Sequence, residues 1–271
     1  MSAKTKPRLT ARTADKYELY QEAVQNPEFE AQMVERFYRK ARNRRPKTLR
    51  EDFSGTFCFS CEWVKRHADH RAICIDLDPE PLEWGRRHNL SRLKPEQQQR
   101  VELRRANVLE ADTPGIDIIC AFNFSYWIFM TRGEMLRYFR RVYENLAPDG
   151  MMVMDCFGGA EAHSEQEEPR ACEGFRYVWE HAHFYPLTSE MECRIHFEFR
   201  DGTSMRNAFR YYWRLWSPRD LSEILEEAGF QNVEFYWEGT DHDSGEGNGV
   251  FRKSVRGEAA DCWIAYIVAL K

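Results

Sequence analysis

Long apolar runs are missing from this chain of 271 residues. No stretch approaches the ~18 residues that a membrane span needs, and the opening MSAKTKPRLT lacks the apolar core of a secretory leader. Both absences predict a soluble, cytosolic protein without a membrane partner. Cysteine occurs eight times but forms no framework. Cys58 and Cys61 make one C-x-x-C, yet no second pair follows at zinc-ligand spacing. Cys74, Cys120, Cys156 and Cys262 lie in apolar runs, where cysteine acts as a small hydrophobe, so no metal site is expected. The G-x-S-x-G nucleophile turn is absent, and so are internal repeats and low-complexity tracts. Glycine is scarce where a nucleotide loop would want it. "TLREDFSGTFCFSCEW", 48–63, reads as strand, tight turn and helix around a single Gly55.

What is present is ordinary globular composition, 31% charged and 42% hydrophobic. The net charge of −5 is unevenly spread. Residues 1–50 carry 13 Lys/Arg against 6 Asp/Glu, so the first part is strongly positive and the remainder acidic. Most of that excess sits in "RFYRKARNRRPK", 36–47. Such a run could touch phosphates. It also suits a helix C-terminus, where cations complement the dipole.

Residues 1–12 are basic and aperiodic, which reads as a tail. Tyr17, Tyr20, Ala23 and Val24, then Phe29, Met33, Val34 and Phe37, recur at helical spacing, with Asn26-Pro27 dividing two helices. Strands at "TLREDF", 71–76, 101–107, 116–124 and 151–157 alternate with helices at 57–66, 79–93 and 132–146. That rhythm predicts a parallel sheet covered on both faces. After a polar stretch, 160–173, three strand-like segments follow at 175–186, 190–199 and 206–216. "DGTS" at 201–204 marks a hairpin turn between two of them. A helix at 218–229 and strands at 231–238 and 262–270 resume the first pattern. Between those last strands, "EGTDHDSGEGNGVFRK", 238–253, reads as a long polar loop. The expected domains are 1–46, tail and helices; 47–157 with 217–271, the α/β core; and 158–216, an inserted antiparallel lid.

Ligands of such sheets sit at the C-terminal strand ends. Glu51 ends the first strand, and Gly55-Thr56 opens the following helix, where free N–H groups gather. Asp76 ends the second strand; a carboxylate there can accept from both hydroxyls of a ribose, although Asp76, followed by Asp78 and Pro79, could equally be only a helix cap. Asn107 ends the third, offering an amide to a base edge. The fourth delivers Asn123, Phe124, Tyr126 and Trp127 to the same rim.

In this order the segments resemble the class I S-adenosylmethionine-dependent methyltransferases. "EDFSGT" is similar to their E/D-x-G-x-G-T-G loop and "CIDLDPEPLEWGRR" to the segment after their second strand. "IDIICAFNFSYWIF" resembles their fourth strand, "NLAPDGMMVMD" their entry to the fifth, and "LSEILEEAGFQNVEFY" their "LLEEAGF" helix and sixth strand. The resemblance runs from about residue 47 to 271, with the insert its least defined part. It implies a seven-stranded Rossmann-like sheet with helices on both faces, plus an antiparallel lid and N-terminal helices. It implies S-adenosyl-L-methionine as cofactor, with Glu51 near the methionine amino group and Gly55 and Thr56 beneath the cofactor. Asp76 would hold the ribose, Leu77 would pack beside the adenine, Asn107 and Val108 would line its pocket, and Asn123 would lie near the methionine moiety. Arg50 is a candidate for the methionine carboxylate, because a guanidinium can grip it with two bonds. The chain departs from the family at Phe53 and Phe57, where glycine is usual. A dinucleotide is disfavoured, since its pyrophosphate needs several glycines.

A sulfonium methyl group is already activated, so alignment of the acceptor does most of the work and no catalytic residue is assigned. The expected acceptor is a small molecule with an N, O or S nucleophile, in a layout resembling the glycine and amino-sugar N-methyltransferases. Aromatic residues at the sheet rim, the N-terminal helices and the insert could hold a cation or a flat acceptor. They include Tyr20, Tyr126, Trp127 and Tyr212, with Arg214 for a carboxylate; packing of the insert on the domain explains the same pattern. His181 and His183 fall on one strand face and are candidate bases or a solvated pair. Two other functions stand beside this one: an RNA methyltransferase using 36–50, and a non-catalytic cofactor-binding scaffold. The oligomeric state is open, a homodimer included. A filter-binding titration of RNA at low salt checks the first of these. We expect no salt-sensitive binding, whereas strong binding that falls steeply with salt would favour an RNA substrate.

Overall fold

The computed structural model describes residues 9–241 and 247–271. Most of the basic tail and the middle of the 238–253 segment lie outside the described residues. The chain divides into two units, Met1–Gln25 with His163–Arg214, and Asn26–Ala162 with Leu215–Lys271.

The larger unit begins at α2 (Pro27–Arg42), since α1 (Lys16–Val24) belongs to the other. Asn26 caps α2 by accepting from the Phe29 N–H, and Pro27 occupies the first turn, where its missing N–H costs nothing. Asn43 ends the helix in the left-handed conformation. The strands β1 (Thr48–Asp52), β2 (Arg71–Asp76), β3 (Val101–Arg105), β4 (Ile116–Ala121) and β5 (Leu146–Gly158) follow. Between them run α3 (Cys58–Arg66), α4 (Pro79–His88), the short α5 (Pro95–Gln98) and α6 (Arg132–Asn145).

Among the described residues, seven more strands and a last helix complete the chain. They comprise β6 (Gln166–Ala171), β7 (Phe175–Tyr185), β8 (Glu190–Phe199), β9 (Ser204–Arg214), α7 (Pro218–Ala228), β10 (Asn232–Thr240), β11 (Gly247–Ser254) and β12 (Trp263–Leu270). The large sheet has the order β11-β10-β12-β5-β4-β1-β2-β3. The strands from β5 to β3 pair in parallel, while β12, β10 and β11 add antiparallel neighbours. Its eighth strand comes from residues that read as loop. Glu238 to Thr240 continue β10, and β11 returns beside it. Phe251 anchors this polar edge, with its ring 4.7 Å from Tyr266 and 5.9 Å from Phe29.

Side-chain alternation sorts the sheet into two faces. Leu49 of β1, Cys74 of β2, Ile118 and Cys120 of β4, and Met151 and Val153 of β5 share one core with α2 and α3. The opposite face meets α6, which in turn packs on α7. The basic stretch after α2 is largely spent within this unit. Arg42 donates to the carbonyls of Gly150 and Lys271, Arg44 pairs with Asp117 and Asp149, and Arg45 and Arg66 share Glu35.

The smaller unit joins α1 to a sheet of order β6-β7-β8-β9. Its fourth strand, β6, again comes from a polar stretch that reads as loop; it pairs with β7 from Gln166↔His181 to Ala171↔Arg176. Leu19 and Ala23 of α1 pack with Phe175, Ile195, Phe197 and Phe199. A register shift between His181 and His183 separates those two residues. His181 is buried, and burial lowers its pKa to about 4, whereas His183 is exposed.

The loop after β1 keeps a glycine-like backbone without the glycines. Phe53, Gly55 and Phe57 all have positive φ, at 56°, 50° and 47°. A left-handed residue other than glycine costs roughly 1–2 kcal/mol, and ring packing offsets that cost. Phe53 lies 5.8 Å from Tyr138 and 6.1 Å from Phe129, ring to ring. Phe57 is wholly buried and fills the notch left by Gly85 of α4. A Cβ on Gly85 would stand 2.4 Å from the Thr56 carbonyl oxygen and 2.5 Å from the Phe57 ring. Gly85→Ala should therefore destabilise the fold by about 1–3 kcal/mol despite the better helix propensity of alanine. Urea unfolding checks this, and adding Phe57→Leu should recover part of the loss.

Candidate functional site

The strand order turns back between β1 and β4, and a crevice forms outside the C-terminal ends of strands at such a point. The loop from Phe53 to Phe57 opens there. Asp76, at the end of β2, accepts from the Gly55 N–H through Oδ2 at 2.7 Å and from the Asp78 N–H through Oδ1 at 2.9 Å. Asp78 caps α4 by accepting from Glu80, so the cap and the strand-end carboxylate are separate residues. Each Asp76 oxygen keeps a further lone-pair direction for an incoming hydroxyl. Nothing stands within 4 Å of where a Gly55 Cβ would project, so this backbone is open to close approach. Leu77 beside it is 60% exposed, an apolar side chain left uncovered at the rim.

Glu51 faces α3, where its Oε2 accepts from both the N–H and the Oγ of Ser60. Burial pushes its pKa up to about 8, against the lowering effect of those two bonds. Thr56 is buried, and its carbonyl oxygen accepts from Asn89 Nδ2 at 2.8 Å. Asn107 turns its Oδ1 to the Leu109 N–H at 3.0 Å, and Val108 is buried beside it. Asn123 and the following Phe124 are both left-handed, at φ 56° and 57°. The Asp155 carboxylate holds that turn by accepting both backbone N–H groups, at 2.7 Å and 3.0 Å. Strained pairs of this kind persist only where their surroundings over-determine them, and they collect at functional sites.

Three expected residues do not join this group. Arg50 points to the opposite face of the sheet from Glu51 and is wholly buried. Its Nε and Nη2 grip Asp52 at 2.6 Å and 2.9 Å, and its Nη1 reaches Thr113 at 3.0 Å. Tyr138 completes that cluster by donating to Asp52. With its guanidinium spent there, Arg50 is not placed to take a cofactor carboxylate. Tyr126 and Trp127 are also wholly buried. The Tyr126 hydroxyl donates to the Asp155 carbonyl at 2.7 Å, and the Trp127 ring lies 4.7 Å from Phe157. They shape the wall behind the rim. In the smaller unit, Tyr20 packs on Phe209, Tyr212 is exposed and Arg214 is half-buried.

Three residues emerge that the motifs did not single out. Ser54 is buried in the loop, and its Oγ has no hydrogen-bond partner among the described residues. Asp155 is the one charge in the strand "MMVMDCF", a signal legible in hindsight; burial pushes its pKa up to about 7. Glu30 lies three, four and seven residues before Met33, Val34 and Phe37, on the buried stripe of α2. Burial, then Asp155 and Glu51, push its pKa up to about 8.

No family model and no curated protein matches the sequence. Solved structures do match its fold. An S-adenosylmethionine-dependent methyltransferase from Clostridium acetobutylicum is 14% identical, with 93% of this chain and 96% of that one covered and a TM-score of 0.66. CalS10, an amino pentose methyltransferase from Micromonospora echinaspora, is 17% identical over 95% and 97% of the two chains, at 0.65. The sugar N-methyltransferase KedS8 from a Streptoalloteichus species is 16% identical over 100% and 97%, at 0.64. The chain has the fold of the class I S-adenosylmethionine-dependent methyltransferases.

The raised carboxylates fix a direction of pH dependence. Over the interval from about 4.5 to about 8 the folded Glu51 binds more protons than the unfolded one, so stability falls as pH rises through it. Glu51→Gln removes that group. Denaturant unfolding should show the variant gaining on the parent by up to about 3 kcal/mol between roughly pH 5 and pH 8. A difference independent of pH would mean that Glu51 is ionised throughout.

Proposed function

We propose that this chain is an S-adenosylmethionine-dependent methyltransferase that acts on a small-molecule acceptor, an amine by preference. The juxtaposition of Asp76 with Gly55 supports the reading most. A carboxylate with spare lone pairs stands directly beside Gly55, where no described residue beyond its chain neighbours comes within 4 Å of the Cβ position. That pairing suits a nucleoside, whose ribose hydroxyls would donate to Asp76 while its body lies along the loop. The absence of further glycines suits a ligand without a pyrophosphate.

In this reading Asp76 holds the ribose. Leu77 covers one side of the adenine, whose pocket is lined by Asn107 and Val108. Gly55 and Thr56 admit the ligand closely to the backbone. Glu51 stands toward the amino-acid end, and the left-handed turn at Asn123 borders it. When bound, the cofactor supplies a sulfonium methyl group already activated toward in-line displacement. The residues of the chain then have to orient the acceptor and exclude water, which is worth more here than any nucleophile of their own. The amine preference rests on the similar structures, which include an amino pentose methyltransferase and a sugar N-methyltransferase.

Asp76→Ala should weaken S-adenosylhomocysteine binding at least tenfold, about 1.4 kcal/mol, in isothermal titration. Unchanged affinity would place the nucleoside elsewhere.

A further inference from the structure

Glu30 places a carboxyl group on a face built for apolar side chains. It sits in the first turn of α2 and is only 7% exposed. No hydrogen-bond donor reaches its carboxylate among the described residues. The charged groups that bear on it are Asp155 and Glu51, both acidic. Sheet register sets the three together. Glu51 of β1 is level with Cys120 of β4, which is level with Val153 of β5. Asp155, two residues further along, therefore faces the same side as Glu51, the side that α2 covers. Glu30 lies on the buried stripe of α2, whose neighbours Ala31, Met33 and Val34 share one core with Cys120, Val153 and Tyr266.

Buried carboxylates are normally paired with a cation or fully hydrogen-bonded. Two of these three have donors of their own, Ser60 for Glu51 and the Asn123–Phe124 turn for Asp155. Among the described residues Glu30 has none, and no Lys, Arg or His contributes to it. A metal ion would need several oxygens drawn together. Among the described residues the oxygens of these three are not within 4.8 Å of one another. A ligand that brings its own positive charge and its own N–H donors fits better. An ammonium group has both.

We propose that Glu30, flanked by Glu51 and Asp155, is a binding residue for an organic ammonium group carried by a ligand. Under the methyltransferase reading, on which this rests, the ammonium is either that of the cofactor's amino-acid end or that of an amine acceptor. In either case α2, which lies outside the strand-end motifs, contributes directly to the site.

The isosteric Glu30→Gln tests this. Its expected first effect is a higher melting temperature without ligand, because a buried unpaired carboxylate is removed. Parent and variant are then titrated with S-adenosylhomocysteine and with its analogue lacking the α-amino group. If the cofactor supplies the ammonium, the variant binds S-adenosylhomocysteine about tenfold or more weakly but matches the parent on the analogue. If the acceptor supplies it, both nucleosides bind parent and variant equally. Glucosamine, used as an amine probe, then raises the melting temperature of the parent with S-adenosylhomocysteine bound and leaves that of the variant unmoved. Equal binding of both nucleosides with the same glucosamine response overturns the proposal. So does a lowered melting temperature with equal losses for both nucleosides, which marks a purely structural role. A parent that binds neither nucleoside refutes the methyltransferase reading instead, and the glucosamine response without nucleoside then decides the ammonium site alone.

Discussion

The Asp76 carboxylate accepts the Gly55 N–H across the gap between the first two strands, and the shape of the whole site hangs from that bond. The loop it holds contains three left-handed residues within five positions, two of them phenylalanines. Such a backbone does not persist on local preference alone. Asp76 fixes its middle, Asn89 holds the Thr56 carbonyl, and the two rings anchor its ends. The same bond leaves Asp76 facing the crevice with capacity to spare. Under the proposed function the group that shapes the loop is also the one that receives the ribose.

The sheet divides its charges by the same economy of contacts. In the run Arg50-Glu51-Asp52 the outer two residues share one face and neutralise each other, with Thr113 and Tyr138 closing the network. Glu51 lies on the other face, among Glu30 and Asp155, where the described residues supply no cation. One face carries a satisfied structural ion pair. The other carries acidity held near neutral pH by burial, an arrangement that clusters at functional sites. Breaking the first should mainly cost stability, because a lone buried charge would remain. Altering the second should mainly change what the site can hold.

The two edge strands show where local reading falls short. β6 and β11 consist largely of exposed polar residues and bear no alternating apolar pattern of their own. Each exists because a neighbouring strand offers unpaired backbone groups, and in β11 because Phe251 finds Tyr266 and Phe29. Backbone pairing of this kind leaves little trace in side-chain periodicity. The engagement of Arg50 with Asp52 and Thr113 went unread for a similar reason. The position of Arg50 next to Glu51 in the chain said nothing of the partner waiting on the opposite face.

What the sequence determined by itself is the order of the core elements and the strand ends at which, or just after which, Glu51, Asp76, Asn107 and Asn123 stand. Periodicity and turn chemistry are local, and in a parallel sheet the strand end is also the site end. The tertiary structure alone decided that Phe53 and Phe57 can stand in for glycine, since that depends on Tyr138, Phe129 and the notch at Gly85. It also decided that Glu30, more than a hundred residues before Asp155, shares a buried face with it. Burial and electrostatic neighbourhood are properties of the assembled fold, and no spacing along the chain encodes them.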